Sequence, residues 1–163
     1  MNILVEAFGR LPELVRGAVD GLSPAQLHAA PVGKGNPVGW LVWHLTRVQD
    51  SHVAELLDTE QIYLSGSWSA RFGRDPDPAD IGYGHEPHDV AAVRAESADA
   101  LVDYYAAVHT RTMKYLDGLT DDNLARVIDE SWDPPVTLGV RLVSVLHDDL
   151  QHAGQAAYAR GLL

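Results

Sequence analysis

Residues 36–53, NPVGWLVWHLTRVQDSHV, decide the fold of this chain. Asn36 can cap a helix and Pro37 suits its first position. Val38, Leu41, Leu45, Val48 and then Leu56 recur at the spacing of one helical face. His44 lies three residues after Leu41 and four before Val48, so it falls on the inward stripe of that helix. A long helix with one apolar face needs partners, and three other stretches supply them.

Before it, Ile3, Leu4, Ala7, Phe8, Leu11, Leu14, Val15 and Ala18 predict a first helix ended by Gly21. Pro12 should kink or restart it. Ser23-Pro24 predicts a short turn through about His28. After it, the spacing predicts a third helix over Asp89–Asp117, closed by Gly118. A fourth should run from about Thr137 to Gly161. Roughly thirty residues separate the second and third helices, too many for a structureless connection. They hold Trp68, Phe72 and Tyr83 among glycines and the DPDPAD run, which predicts a packed crossover. A second connection, Asp129–Val136, carries Trp132 and Pro134-Pro135 and can be extended. The expected fold is all-α: a four-helix bundle with a long crossover loop between helices 2 and 3, one domain over residues 1–163.

Composition narrows the function. The 163 residues carry 23 acids against 12 bases, a formal charge of −11, and no basic window that could neutralise phosphates. Nucleic acid and membrane are therefore not expected partners. With no cysteine there is no disulfide, thiolate metal site or cysteine nucleophile, and the start of the chain does not read as a signal peptide; a cytoplasmic location is expected. Eight histidines direct attention to metal chemistry.

Metal ligands in a bundle project from facing helices. Within the closing segment HDDLQHAGQ, Asp148 and His152 are four apart and stack one turn from each other, ~6 Å along the axis. Asp149, three before His152, competes for the carboxylate role. His147 turns away, because five residues rotate a helix ~140° past one revolution. On the second helix His52 lies ~12 Å beyond His44, too far to share an ion with it. His109 has no orientation fixed by sequence, and His28, His85 and His88 fall in turns or loops. A lone histidine on an apolar stripe is usually a hydrogen-bonded core residue, so spacing alone leaves both readings of His44 open.

The stretches Asn36–Val53 and Leu146–Gly161 (LHDDLQHAGQAAYARG) resemble the second- and fourth-helix motifs of the DinB-like, damage-inducible four-helix superfamily. That superfamily is related to the mycothiol-dependent maleylpyruvate isomerase N-terminal domain. The resemblance covers nearly the whole chain. It implies a divalent metal, with zinc first and nickel or iron as alternatives, held by His44, Asp148 and His152. Aspartate at 148 departs from the histidine or glutamate common there. The resemblance further implies a transferase using a low-molecular-weight thiol such as mycothiol as cosubstrate, acting on an electrophilic substrate. Trp68, Arg71 and Arg74 are the expected lining of a thiol pocket. A metal-dependent hydrolase with Asp149 or His147 as base, and a non-catalytic metal- or ligand-binding dimer, are the alternatives. A homodimer through helix faces is expected.

Overall fold

The computed structural model describes residues 3–33 and 35–163. The first helical stretch is two pieces, α1 (Ile3–Phe8) and α2 (Leu11–Val19). The chain turns at Gly9 and Arg10, so Pro12 falls in the first turn of α2, where its missing N–H costs nothing. The Ser23 hydroxyl accepts from the Gln26 N–H and opens the short α3 (Pro24–Leu27). The decisive stretch forms α4 (Val38–Leu57). Its cap differs from the expectation: Pro37, not Asn36, occupies the position before the helix, and no side chain caps it.

The single helix expected over Asp89–Asp117 is a correction of larger consequence. It is divided into α6 (Pro87–Ala92) and α7 (Ala98–Asp117), with α5 (Trp68–Arg71) earlier in the crossover. Between the two pieces the backbone bonds outside the helix. The Arg94 N–H donates to the Phe72 carbonyl (2.8 Å) and that of Glu96 to the Arg71 carbonyl (2.9 Å). Buried Val93 and Ala95 anchor this detour, and the Ser97 hydroxyl then caps α7 through the Ala100 N–H at 3.1 Å. Apolar spacing continued across the break because both pieces face the same core, and that continuity concealed it.

Beyond α7 come the short α8 (Asp121–Leu124), the antiparallel strands β1 (Val127–Asp129) and β2 (Val136–Thr137), and α9 (Leu138–Arg160). Of the connection expected to be extended, only its ends, Asp129 and Val136, fall in this ribbon, and residues 130–135 between them form the bend that joins the strands. The Thr137 hydroxyl caps α9, and Gly161 follows its last turn.

The result is an all-α four-helix bundle in which α2 and α4 each pack between α7 and α9. Antiparallel α4 and α9 are marked by His44 against His152 at one end and Glu55 against Arg141 at the other. Parallel α4 and α7 bring Arg47 to Tyr104 and Leu57 to Tyr115, which the crossover makes possible. Phe8, Leu11, Trp43, Leu45, Leu101, Val108, Leu142 and Val145 fill the core, each of the aliphatics contributing about 1.5–3 kcal/mol relative to exposure. Among the described residues no helix is long and apolar enough to cross a membrane.

Every residue from Val38 to Asp50 is buried, polar ones included, because the crossover folds over the outer face of α4. Arg47 and Asp50 clamp it there, 3.7 Å apart and without solvent exposure. Arg47 donates to the carbonyls of Asp80 (3.0 Å) and Asp77 (3.2 Å) and to the Gln61 Oε1 (2.8 Å). Asp50 accepts from the Ile62 and Tyr63 N–H groups (2.9 Å each) and from the Tyr104 hydroxyl (2.8 Å). Charges this deep persist only when their hydrogen-bonding capacity is met, and here the backbone of the loop meets it.

Candidate metal centre

His44 projects from the first half of α4, with the Trp40 ring one turn earlier stacked on it at 4.7 Å. The crossover supplies its second support. The His44 Nδ1–H donates to the Ile81 carbonyl at 2.5 Å, which leaves Nε2 without its proton and free to bind. Gly82 follows with φ +90°, and a Cβ there would fall 2.6 Å from His44 Nδ1 and 3.1 Å from both the Trp40 and Trp43 rings. No residue but glycine fits that approach without displacing the imidazole.

From α9, Asp148 and His152 arrive together, as their four-residue spacing requires, with Asp148 Oδ1 3.5 Å from His152 Nε2. The other ring nitrogen, Nδ1, donates to Gln155 Oε1 at 2.9 Å. The two imidazoles meet edge to face, centroids 4.6 Å apart. One donor atom from each of His44, Asp148 and His152 lies within 4.8 Å of the other two.

The donor set fits a divalent cation on three counts. Two imidazoles and a carboxylate suit zinc, nickel or ferrous iron. Each histidine has its outer nitrogen engaged, which fixes ring orientation and aims Nε2 inward. Asp148 Oδ2 is buried with no hydrogen-bond partner among the described residues, an orphan that a cation would satisfy. Burial pushes the His44 pKa down against the opposing pull of the Ile81 bond, favouring the neutral ring a metal needs. The bond to Asp148 raises the His152 pKa, so a proton competes with metal at that nitrogen.

The rest of the histidines are accounted for otherwise. Exposed His147 lies near Gln151, and His52 meets Arg141 and Glu55. His28 and His109 bond to the carbonyls of Ala95 and Phe8, and His88 is exposed. Asp149 is fully buried away from the three donors. Burial, then the charge of Asp148, raises its pKa well above the carboxylate range. Trp68, Arg71 and Arg74 do not gather as a pocket lining. Trp68 packs on Tyr104, Arg71 pairs with Glu96 and Asp103, and Arg74 pairs with Asp80.

Sequence reasoning passed over the support on the other side of Trp40. The Trp40 Nε1–H donates to His85 Nδ1 (3.2 Å), and the His85 Nε2–H donates to Asp80 Oδ1 (2.8 Å). Asp80 Oδ2 accepts from Arg74 Nε (2.9 Å) and Nη2 (2.7 Å), while Arg47 holds the Asp80 carbonyl. This chain runs through the loop and has no periodicity that a sequence pattern could display. The nearest signal was the cluster of glycines, of which Gly82 alone touches the centre.

Fold and cluster together define a four-helix bundle with a candidate His/Asp/His metal site between its second and fourth long helices. The chain belongs to the DinB superfamily, which it matches over residues 7–156. Among solved structures it is similar to a conserved protein from Enterococcus faecalis, at 34% identity and a TM-score of 0.89, over 98% of this chain and 94% of that one. No match was found among curated proteins.

Proposed function

We propose that His44, Asp148 and His152 hold one divalent metal ion and that the centre serves a transferase using a low-molecular-weight thiol such as mycothiol. The convergence of three donor atoms from two helices, within 4.8 Å of one another, carries the metal reading. A bound divalent ion would lower the pKa of a sulfur or water that reaches it. The chain's own part is to hold three donors in place, leaving coordination positions for a ligand, and to shield one flank with the Trp40 ring. The thiol reading rests on membership of the family and on a negative argument about bases. The alternative hydrolase reading uses a protein base beside the water. Asp149 is sealed in the core, His147 is exposed on another face, and both nitrogens of His85 are engaged. A metal-activated thiol needs no such base, and the chain has no cysteine of its own to supply the sulfur.

Metal analysis of untagged protein should find up to one divalent ion per chain, lost in His44→Ala and in His152→Ala. Asp148→Asn should weaken binding more than Asp149→Asn. Full occupancy in both histidine variants would remove the site. In cobalt-substituted protein, saturating mycothiol should add a sulfur-to-cobalt charge-transfer band. An unchanged spectrum would leave the metal site standing and end the thiol reading.

A further inference from the structure

A cavity of about 560 Å³ lies between the segment following α3 and the α6 region, and it shares His85 with the wall behind Trp40. Its size falls within the roughly 300–1,000 Å³ range of small-molecule sites. Pro37, Pro87, Val90 and Val93 make much of its surface apolar. Its charge is opposite to that of the molecule. In a chain of formal charge −11, no aspartate or glutamate lines the cavity among the described residues, whereas Arg94 does. Elsewhere the arginines near the crossover are paired: Arg71 with Glu96 and Asp103, Arg74 with Asp80, Arg47 with Asp50. The Arg94 guanidinium has no ion pair or hydrogen bond among the described residues. The backbone of Arg94 is held in place, because its N–H donates to the Phe72 carbonyl at 2.8 Å. Across the cavity, His28 donates from Nε2 to the Ala95 carbonyl at 3.0 Å, which leaves Nδ1 as an acceptor.

We infer that this cavity binds a small organic carboxylate, with Arg94 as its counterion and His28 Nδ1 accepting from a hydrogen-bond donor elsewhere on the ligand. A guanidinium engages a carboxylate through two parallel hydrogen bonds and neutralises one charge. A phosphate monoester would bring close to two negative charges against Arg94, the one lysine or arginine lining the cavity among the described residues, in surroundings too apolar to hold the second. The apolar wall accommodates the ligand's carbon body. Identification of this carboxylate as the substrate of the neighbouring centre rests on the metal reading above, whereas the binding itself does not.

The test uses metal-free, full-length protein and calorimetric titration with 3-phenylpropionate, 3-phenylpropionamide and phenyl phosphate. The carboxylate should bind, and the amide and the phosphate should bind about tenfold more weakly. Arg94→Gln should weaken the carboxylate by about tenfold and leave the amide unchanged, while taking up metal as the wild type does. Equal affinity for carboxylate and amide, tighter binding of the phosphate, or an unaltered Arg94→Gln titration would overturn the inference. So would the absence of any carboxylate binding in protein that takes up metal, and that result would leave the metal reading intact. Arg94-dependent binding in protein that takes up no metal would do the reverse.

Discussion

His44 and His152 face each other across the groove between α4 and α9, yet opposite means hold them. His44 is 6% exposed, and beyond the Trp40 ring stacked on it from one turn earlier, what orients it lies far away in sequence: the Ile81 carbonyl, the bare Cα of Gly82 and, through Asp80, the buried Arg47. His152 is half-buried, and its partners sit on its own helix, Asp148 one turn before and Gln155 one turn after. One half of the centre is assembled by tertiary structure; the other exists as soon as α9 is helical. The two halves should therefore fail differently.

The largest effect is expected where the assembled half is anchored. Arg47→Ala removes the buried partner of Asp50, leaving it the more distant and partly exposed Arg111 at 3.9 Å, and frees the carbonyls of Asp77 and Asp80. Breaking a buried ion pair by removing one partner costs about 3–5 kcal/mol, and urea unfolding should show a loss of that order. Arg141→Ala, on the α9 side, removes contacts to Glu55 and Asp129 near the surface and should cost under about 1 kcal/mol. Equal losses would mean that the crossover is not what the buried pair secures.

Metal affinity gives the next and finer contrast. Gly82→Ala places a methyl 2.6 Å from His44 Nδ1 at a backbone angle that disfavours side chains, so the imidazole must move. Gln155→Ala only releases the outer nitrogen of a ring that Asp148 still holds. Loss of an outer partner typically weakens a metal site about 10–100-fold. Competition titration with a zinc chelator should place Gly82→Ala at or beyond the upper end and Gln155→Ala near the lower. If Gln155→Ala is the more damaging, orientation of His152 is the weaker link and the contrast is inverted.

The same contrast explains what could be read in advance. Asp148, His152 and the inward position of His44 follow from helical spacing, because a helix fixes which residues share a face whatever packs on it. The four long helical stretches and the packed crossover were legible for the same reason. The break at residues 93–97 was not, since it is made by hydrogen bonds to Arg71 and Phe72, more than twenty residues earlier. Nor were Arg47 and Asp50 legible as buried: charge ordinarily marks a solvated face, and only the folded loop supplies the carbonyl and N–H groups that receive them. Gly82 and His85 belong to the same class, residues whose significance depends on which helix the loop lies against.

The smallest effect separates a ligand-like histidine from a structural one. His109 resembles His44 in being bonded to a backbone carbonyl, that of Phe8 at 3.1 Å, but it has no place in the cluster of donors. Burial lowers its pKa from the ordinary 6.5, outweighing the bond to Phe8. In the unfolded chain the ring protonates near 6.5, and in the folded chain only at lower pH. Between those values the unfolded state binds more protons, so stability falls as pH drops below about 6.5 and is flat above it as far as this group is concerned. His28 and His52, also lowered mainly by burial, add to the same slope. His109→Gln retains a donor for the Phe8 carbonyl but cannot titrate. Its urea midpoint should lie close to the wild type's at pH 7.5 and fall less than the wild type's by pH 5.5. A parallel fall in the two proteins would show that His109 protonates at the same pH folded and unfolded, its carbonyl bond fully offsetting burial.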